Sequence, residues 1–105
     1  MRMWMVDPKI LCRKHLLGEH VELHMLYGSI IRGRYKHTEK WNKLVSPAEL
    51  HERHCGLVEE MESRGYNHKS PIDAFPDDYV PPKGDIDDSL GDLMGRCKEC
   101  RDRNK

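Results

Sequence analysis

Three ionisable residues near the start of the chain, His15, Glu19 and Glu22, have spacings that place them together on a helix. At about 100° per residue, with His15 as origin, Glu19 falls near about 40° and Glu22 near about −20°. A charged stripe of this kind is ordinarily a solvated face. Two carboxylates and an imidazole one turn apart also suit proton transfer, because mutual repulsion and partial burial raise a carboxyl pKa into a useful range. His20 and His24, at i and i+4, could share a metal, although such pairs more often pack at a helix edge. They do not form a zinc-protease motif. H-E-x-x-H needs Glu directly after the first His, and here Glu22 points to the far side of the helix.

Cys97-Lys98-Glu99-Cys100 has the C-x-x-C spacing of a metal knuckle or a redox pair. A complete zinc site would need further ligands, either the isolated Cys12 and Cys55 or a histidine. With no second C-x-x-C pair, Cys12 and Cys55 are expected to be reduced, buried and hydrophobe-like.

These residues require elements to hold them. Asp7-Pro8 reads as a helix start, with Asp as N-cap and Pro in the first turn. That helix should run to Arg32 and stop at Gly33, burying Leu16, Leu23 and Tyr27, with Leu26 near the edge of that face. Residues 34–45 are basic and aromatic without a period, which indicates a loop. Ser46-Pro47-Ala48-Glu49 has the capping-box pattern and should open a second helix ending at Arg64-Gly65. Residues 66–86, with Pro71, Pro76, Pro81 and Pro82, form an irregular acidic connector. Asp87-Asp88-Ser89 offers a third cap. A helix should follow with Leu90, Leu93 and Met94, reaching Arg101 despite Gly91 and Gly95. The expected fold is mostly α, a single compact domain of three helices over residues 1–105 with long irregular loops.

The 105 residues include 18 basic and 18 acidic side chains, and only 37% are apolar, with one Phe. No apolar run approaches the ~20 residues of a membrane helix, and residues 1–6 are too short for a secretory signal. A soluble cytoplasmic protein, without membrane partners and monomeric, is expected. The neutral total conceals a gradient. Residues 1–45 carry nine basic and four acidic side chains, and residues 46–105 carry nine and fourteen. The first portion is therefore +5 and the second −5, which suggests one cationic working face.

The run His15-Leu16-Leu17-Gly18-Glu19-His20-Val21-Glu22-Leu23, preceded by Arg2 and followed by Gly28, resembles the first helix of the phage endonuclease V family of pyrimidine-dimer DNA glycosylases. Val45-Ser46-Pro47, Arg64-Gly65-Tyr66-Asn67 and Asp78-Tyr79-Val80-Pro81 follow in the family's order and extend the resemblance over most of the chain. It implies a glycosylase with abasic-site lyase activity and no cofactor or metal, in which the N-terminal α-amine is the nucleophile. The catalytic positions would be Met1, Arg2, Glu22 and the helix histidine His15. Bulky Arg2 should prevent removal of Met1. An α-amine titrates near ~7.7–8.0, so a useful fraction is unprotonated at neutral pH. The partner would be double-stranded DNA with damaged or modified bases, in the nucleoid or in viral DNA within a host cell. Arg2, Arg13, Lys14, Arg32, Arg34, Lys36 and Lys43 would grip phosphates, with Arg96 at the family's basic position on the last helix.

Two departures bear on the substrate. Val21 and Met25 stand where the family's first helix has arginines, and residues 101–105 lack the family's aromatic tail. A damaged base other than a pyrimidine dimer is therefore an open alternative. A different class of function is a non-catalytic nucleic-acid-binding module built on a Cys-based structural zinc. A helical protein–protein adaptor is a third.

Overall fold

The computed structural model describes residues 2–68, 71–86 and 89–104. It is mostly helical, with three helices of eight residues or more: α1 (Arg13–Ile31), α3 (Leu50–Ser63) and α4 (Ser89–Arg96). Two shorter ones, α2 (Glu39–Asn42) and α5 (Lys98–Arg103), complete the set. No strand occurs among the described residues. α1 packs along α3, and between them Leu16, Leu23, Leu26, Leu50 and Leu57 are fully buried. Leu16, Leu23 and Leu26 recur at the spacing read from the sequence, and half-buried Tyr27 packs against the same core.

Both glycine stops are where the sequence places them. Gly33 (φ 71°) and Gly65 (φ 84°) adopt the left-handed conformation. After α1, the Arg34 amide donates to the Ser29 carbonyl and the Gly33 amide to Ile30. After α3, Tyr66 donates to Met61 and Gly65 to Glu62. These paired bonds satisfy carbonyls that a helix end leaves open.

The helix starts differ from expectation. Asp7 caps only a 3-10 turn, Pro8–Ile10. The chain then extends through Leu11 and Cys12, and α1 begins at Arg13. The break buries Leu11 completely, and the Arg64 guanidinium donates to the carbonyls of Pro8, Lys9 and Leu11. Ser46 does not form a capping box. Its hydroxyl accepts the Gly84 amide (2.9 Å), and a 3-10 turn at Pro47–Glu49 leads into α3. The expected loop at 34–45 contains α2, capped by the Thr38 hydroxyl. The last helix breaks at Cys97, whose sulfur accepts the Cys100 amide at the start of α5. Leu93 of α4 is buried and Leu90 is exposed. The proposed cap residues Asp87 and Asp88 lie outside the described residues.

The N-terminal segment is held from three sides. Met3 is buried, and its amide donates to the Leu44 carbonyl (2.8 Å). The Ser46 amide meets the Met3 sulfur, and Arg53 of α3 donates to the Val6 carbonyl. This tethering brings Arg2 against α1.

Candidate active site

The two carboxylates of the α1 stripe have separate fates. Glu19 is 1% exposed and receives a bidentate bond from Arg53 (2.5 and 2.9 Å). It is therefore a buried structural anion and no part of a solvated face. Glu22 is half-buried and accepts the backbone amide of Arg2 at 2.9 Å. Three further residues shape the space beside it. Trp4 lies under the Arg2 guanidinium (4.2 Å to the ring centroid) and edge-on to His15 (5.5 Å). Gly18, without a side chain, leaves open space. Together with Lys14 and the carboxylates they line a cleft of about 280 Å³.

The remaining basic candidates fall into two groups. Arg2 and Arg96 share one carboxylate, Asp92, at 2.6 and 2.7 Å. Arg13, Lys14, Arg32, Arg34, Lys36 and Lys43 are exposed. Lys14 stands at the cleft, Arg13 lies near the face of Tyr66, and Arg32 folds back onto the Gly28 carbonyl. Met1, the proposed nucleophile, lies outside the described residues. Trp4 and Asp92 were not singled out by sequence reasoning. An aromatic residue two positions from a site arginine was the available signal for Trp4; Asp92 had none.

Two clusters adjoin this framework. In the first, Cys12, His15, Cys97 and Cys100 converge. Burial and the nearby Lys14 ammonium lower the His15 pKa. Burial would raise the Cys97 thiol, but hydrogen bonds from Cys100 and Cys12 carry it below its ordinary value, whereas burial raises Cys100. Cys12 is buried as expected, although its neighbours are ligand-bearing side chains. Cys55 is exposed, contrary to expectation, because it lies on the outer face of α3. In the second cluster, His20 and His24 of α1 meet His54 of α3 and His68. Burial and three neighbouring imidazoles lower the His20 pKa to about 4. The pair is thus joined into a larger group and is no mere helix edge.

The family model for pyrimidine dimer DNA glycosylases matches residues 1–74. The chain belongs to this family. The match takes in α1, α3 and every residue lining the cleft, so family membership and the Glu22 site coincide in the same part of the molecule. No curated protein and no solved structure matches the chain. Membership carries a DNA glycosylase role, and DNA is the corresponding partner. No helix among the described residues is long and apolar enough to cross a membrane.

Proposed function

We propose that this family member is a bifunctional glycosylase and abasic-site lyase, forming one catalytic domain over residues 1–105, that uses the α-amine of Met1 as nucleophile and Glu22 as its proton-transfer partner. The observation that carries this reading is the 2.9 Å bond from the Arg2 amide to Glu22. In a chain whose mature N-terminus is Met1, the α-amine is three covalent bonds from that amide nitrogen. The tether and the carboxylate therefore belong to one site, which restricts the relative motion of nucleophile and proton carrier.

In the reaction, the neutral amine attacks C1′ of the damaged nucleotide and the bond to the base breaks, its electron pair leaving with the base. The attached nitrogen loses one proton, its lone pair then breaks the C1′–O4′ bond, and the ring oxygen takes up a proton, leaving a protonated imine at C1′. The Glu22 carboxylate then takes a proton from C2′, and the C3′–O bond breaks with its electrons leaving on the 3′ phosphate. Water hydrolyses the imine and restores the amine. The neighbouring Arg2 cation favours the neutral amine. Access to C1′ is expected to need a nucleotide of the duplex to leave the stack, and Trp4 offers an aromatic surface at the cleft. His15 forms its wall and orients that ring.

Pyrimidine dimers are the family's named lesion and the substrate class proposed. Val21 and Met25, both more than half exposed on α1, offer apolar contact where the resembling family has arginines. A smaller damaged base is the competing substrate. DNA repair places the proposed activity inside the cell. The glycosylase reading is favoured over a purely structural DNA-binding module because the matched segment contains the Glu22 cleft.

Borohydride trapping tests the mechanism. Protein with an authentic N-terminus, verified by mass spectrometry, should form a covalent adduct with abasic duplex, and with UV-irradiated duplex if dimers are the lesion. Glu22→Gln should lower strand cleavage by at least about 100-fold with an unchanged melting curve. An adduct absent on abasic DNA, or cleavage retained by Glu22→Gln, would overturn the respective assignment.

A further inference from the structure

The geometry points to two metal sites in this chain: a structural zinc held by Cys12, His15, Cys97 and Cys100, and a second divalent transition-metal site formed by His20, His24, His54 and His68. Neither rests on the glycosylase reading. The family match ends at residue 74, so Cys97 and Cys100 lie beyond it.

The first site has the donor set of structural zinc, three sulfurs and one imidazole nitrogen. Its ligands come as two short pairs, Cys12-x-x-His15 entering α1 and Cys97-x-x-Cys100 entering α5. With Zn–S of about 2.3 Å and Zn–N of about 2.0 Å, a tetrahedron has S···S edges of about 3.8 Å and S···N edges of about 3.5 Å. The Cys12 and Cys97 sulfurs are 3.8 Å apart. His15 Nδ1 is 3.2 Å from the Cys12 sulfur and 3.7 Å from that of Cys100. A disulfide would need about 2.05 Å between sulfurs, and all four cysteines are free thiols. Backbone amides already point at the sulfurs. Cys12 N–H donates to Cys100 (3.3 Å) and Cys100 N–H to Cys97 (3.4 Å). Such bonds stabilise thiolates.

This site also explains one departure from the expected helices. α1 starts where Arg64 holds the carbonyls before it, which sets Cys12 at its N-cap, and the last helix breaks at Cys97, where the junction turns a ligand inward. α5 has six residues and one buried side chain, Cys100, too little to hold a helix of that length. Zinc would fix α5 to the start of α1. It would also fix the His15 ring against Trp4 at the cleft wall, making His15 a positioning residue.

The second site is carried by different atoms. His20 Nε2 lies 3.2 Å from His54 Nε2 and 3.3 Å from His24 Nε2. A tetrahedron of four imidazole nitrogens at about 2.0 Å from zinc has edges of about 3.3 Å. All four donor atoms lie within 4.8 Å of one another, so small side-chain shifts would close them around one ion. His68 Nε2 is buried with no hydrogen-bond partner. An unpartnered buried nitrogen on a ring packed against those of His20 and His54 is costly without a shared ligand. Four imidazole ligands suit zinc, nickel or copper.

The test is the metal content of the full-length protein, purified without chelator, incubated with zinc and desalted. Elemental analysis and native mass spectrometry should find two zinc ions per chain. Cys97→Ser should remove one and His68→Ala the other. After cobalt exchange, a thiolate-to-metal charge-transfer band should vanish in Cys97→Ser and persist in His68→Ala. One ion, lost in Cys97→Ser, would overturn the histidine site; one ion, lost in His68→Ala, would overturn the cysteine site. No bound ion would overturn both. Iodoacetamide labelling of wild-type protein needs no folded variant: Cys55 should react, with Cys12, Cys97 and Cys100 protected until zinc is stripped. Equal labelling of all four in zinc-incubated protein would overturn the cysteine site.

Discussion

At the level of single residues, the two glutamates one turn apart on α1 show how little spacing decides by itself. Glu22 meets the Arg2 amide at the cleft, whereas Glu19 is enclosed with Arg53. The difference comes from Arg53, 34 residues further on, which no local pattern could pair with Glu19. Its guanidinium also holds the Val6 carbonyl, so one cation links α1, α3 and the N-terminal segment. Removing the anion leaves that cation buried and unpaired. Glu19→Ala should therefore destabilise the fold by about 3–5 kcal/mol, read as a lower midpoint in urea. The double variant Glu19→Ala/Arg53→Met should recover much of that loss, since an apolar replacement removes the uncompensated charge. A Glu19→Ala midpoint equal to wild type would remove the ion pair from its stabilising role.

At the level of elements, the helix ends were legible and the helix starts were not. Gly33 and Gly65 stop their helices through a backbone conformation that belongs to glycine itself. The starts depend on distant partners: Arg64 for the break before α1, Gly84 for the hydroxyl of Ser46, and the cysteine–histidine cluster for the break at Cys97. The four histidines were equally hidden, since three separated stretches supply them. Two glycines now receive opposite predictions. A Cβ at Gly84 would stand 2.1 Å from the Val45 carbonyl oxygen and 2.9 Å from that of Asn42. This is the close approach that docks the connector, through Asp85 N–H to Asn42 (2.7 Å) and Ala48 N–H to Pro82 (3.0 Å). Gly84→Ala should cost about 1–3 kcal/mol. Gly18, inside α1, meets nothing within 4 Å, so Gly18→Ala should add about 1 kcal/mol of helix propensity. Thermal melts of the two variants should shift in opposite directions; a Gly84→Ala melt at or above wild type would refute the close approach at residue 84, and a lowered Gly18→Ala melt would refute the open space at residue 18.

At the level of the whole molecule, zero net charge conceals how the cations are employed. Arg53 and Arg64 are ion-paired within the fold, and Arg2 and Arg96 share Asp92. Arg13, Lys14, Arg34, Lys36 and Lys43 are exposed and form no ion pair among the described residues. All five lie in the portion of the chain that carries +5, so a local cationic field persists where the total cancels. If each neutralises one phosphate, the logarithm of the DNA association constant should fall against the logarithm of salt with a slope of about −4.5. Between 50 and 200 mM salt this is about a 500-fold loss of affinity. Lys36→Ala/Lys43→Ala should flatten the slope by about 2 and weaken binding similarly on undamaged and damaged duplex, because phosphate contacts carry no lesion information. Fluorescence anisotropy across a salt series reads both effects. A slope near zero would separate these cations from the DNA. An unchanged slope in the double variant would leave the remaining cations to supply the contacts, and would place Lys36 and Lys43 outside the DNA interface.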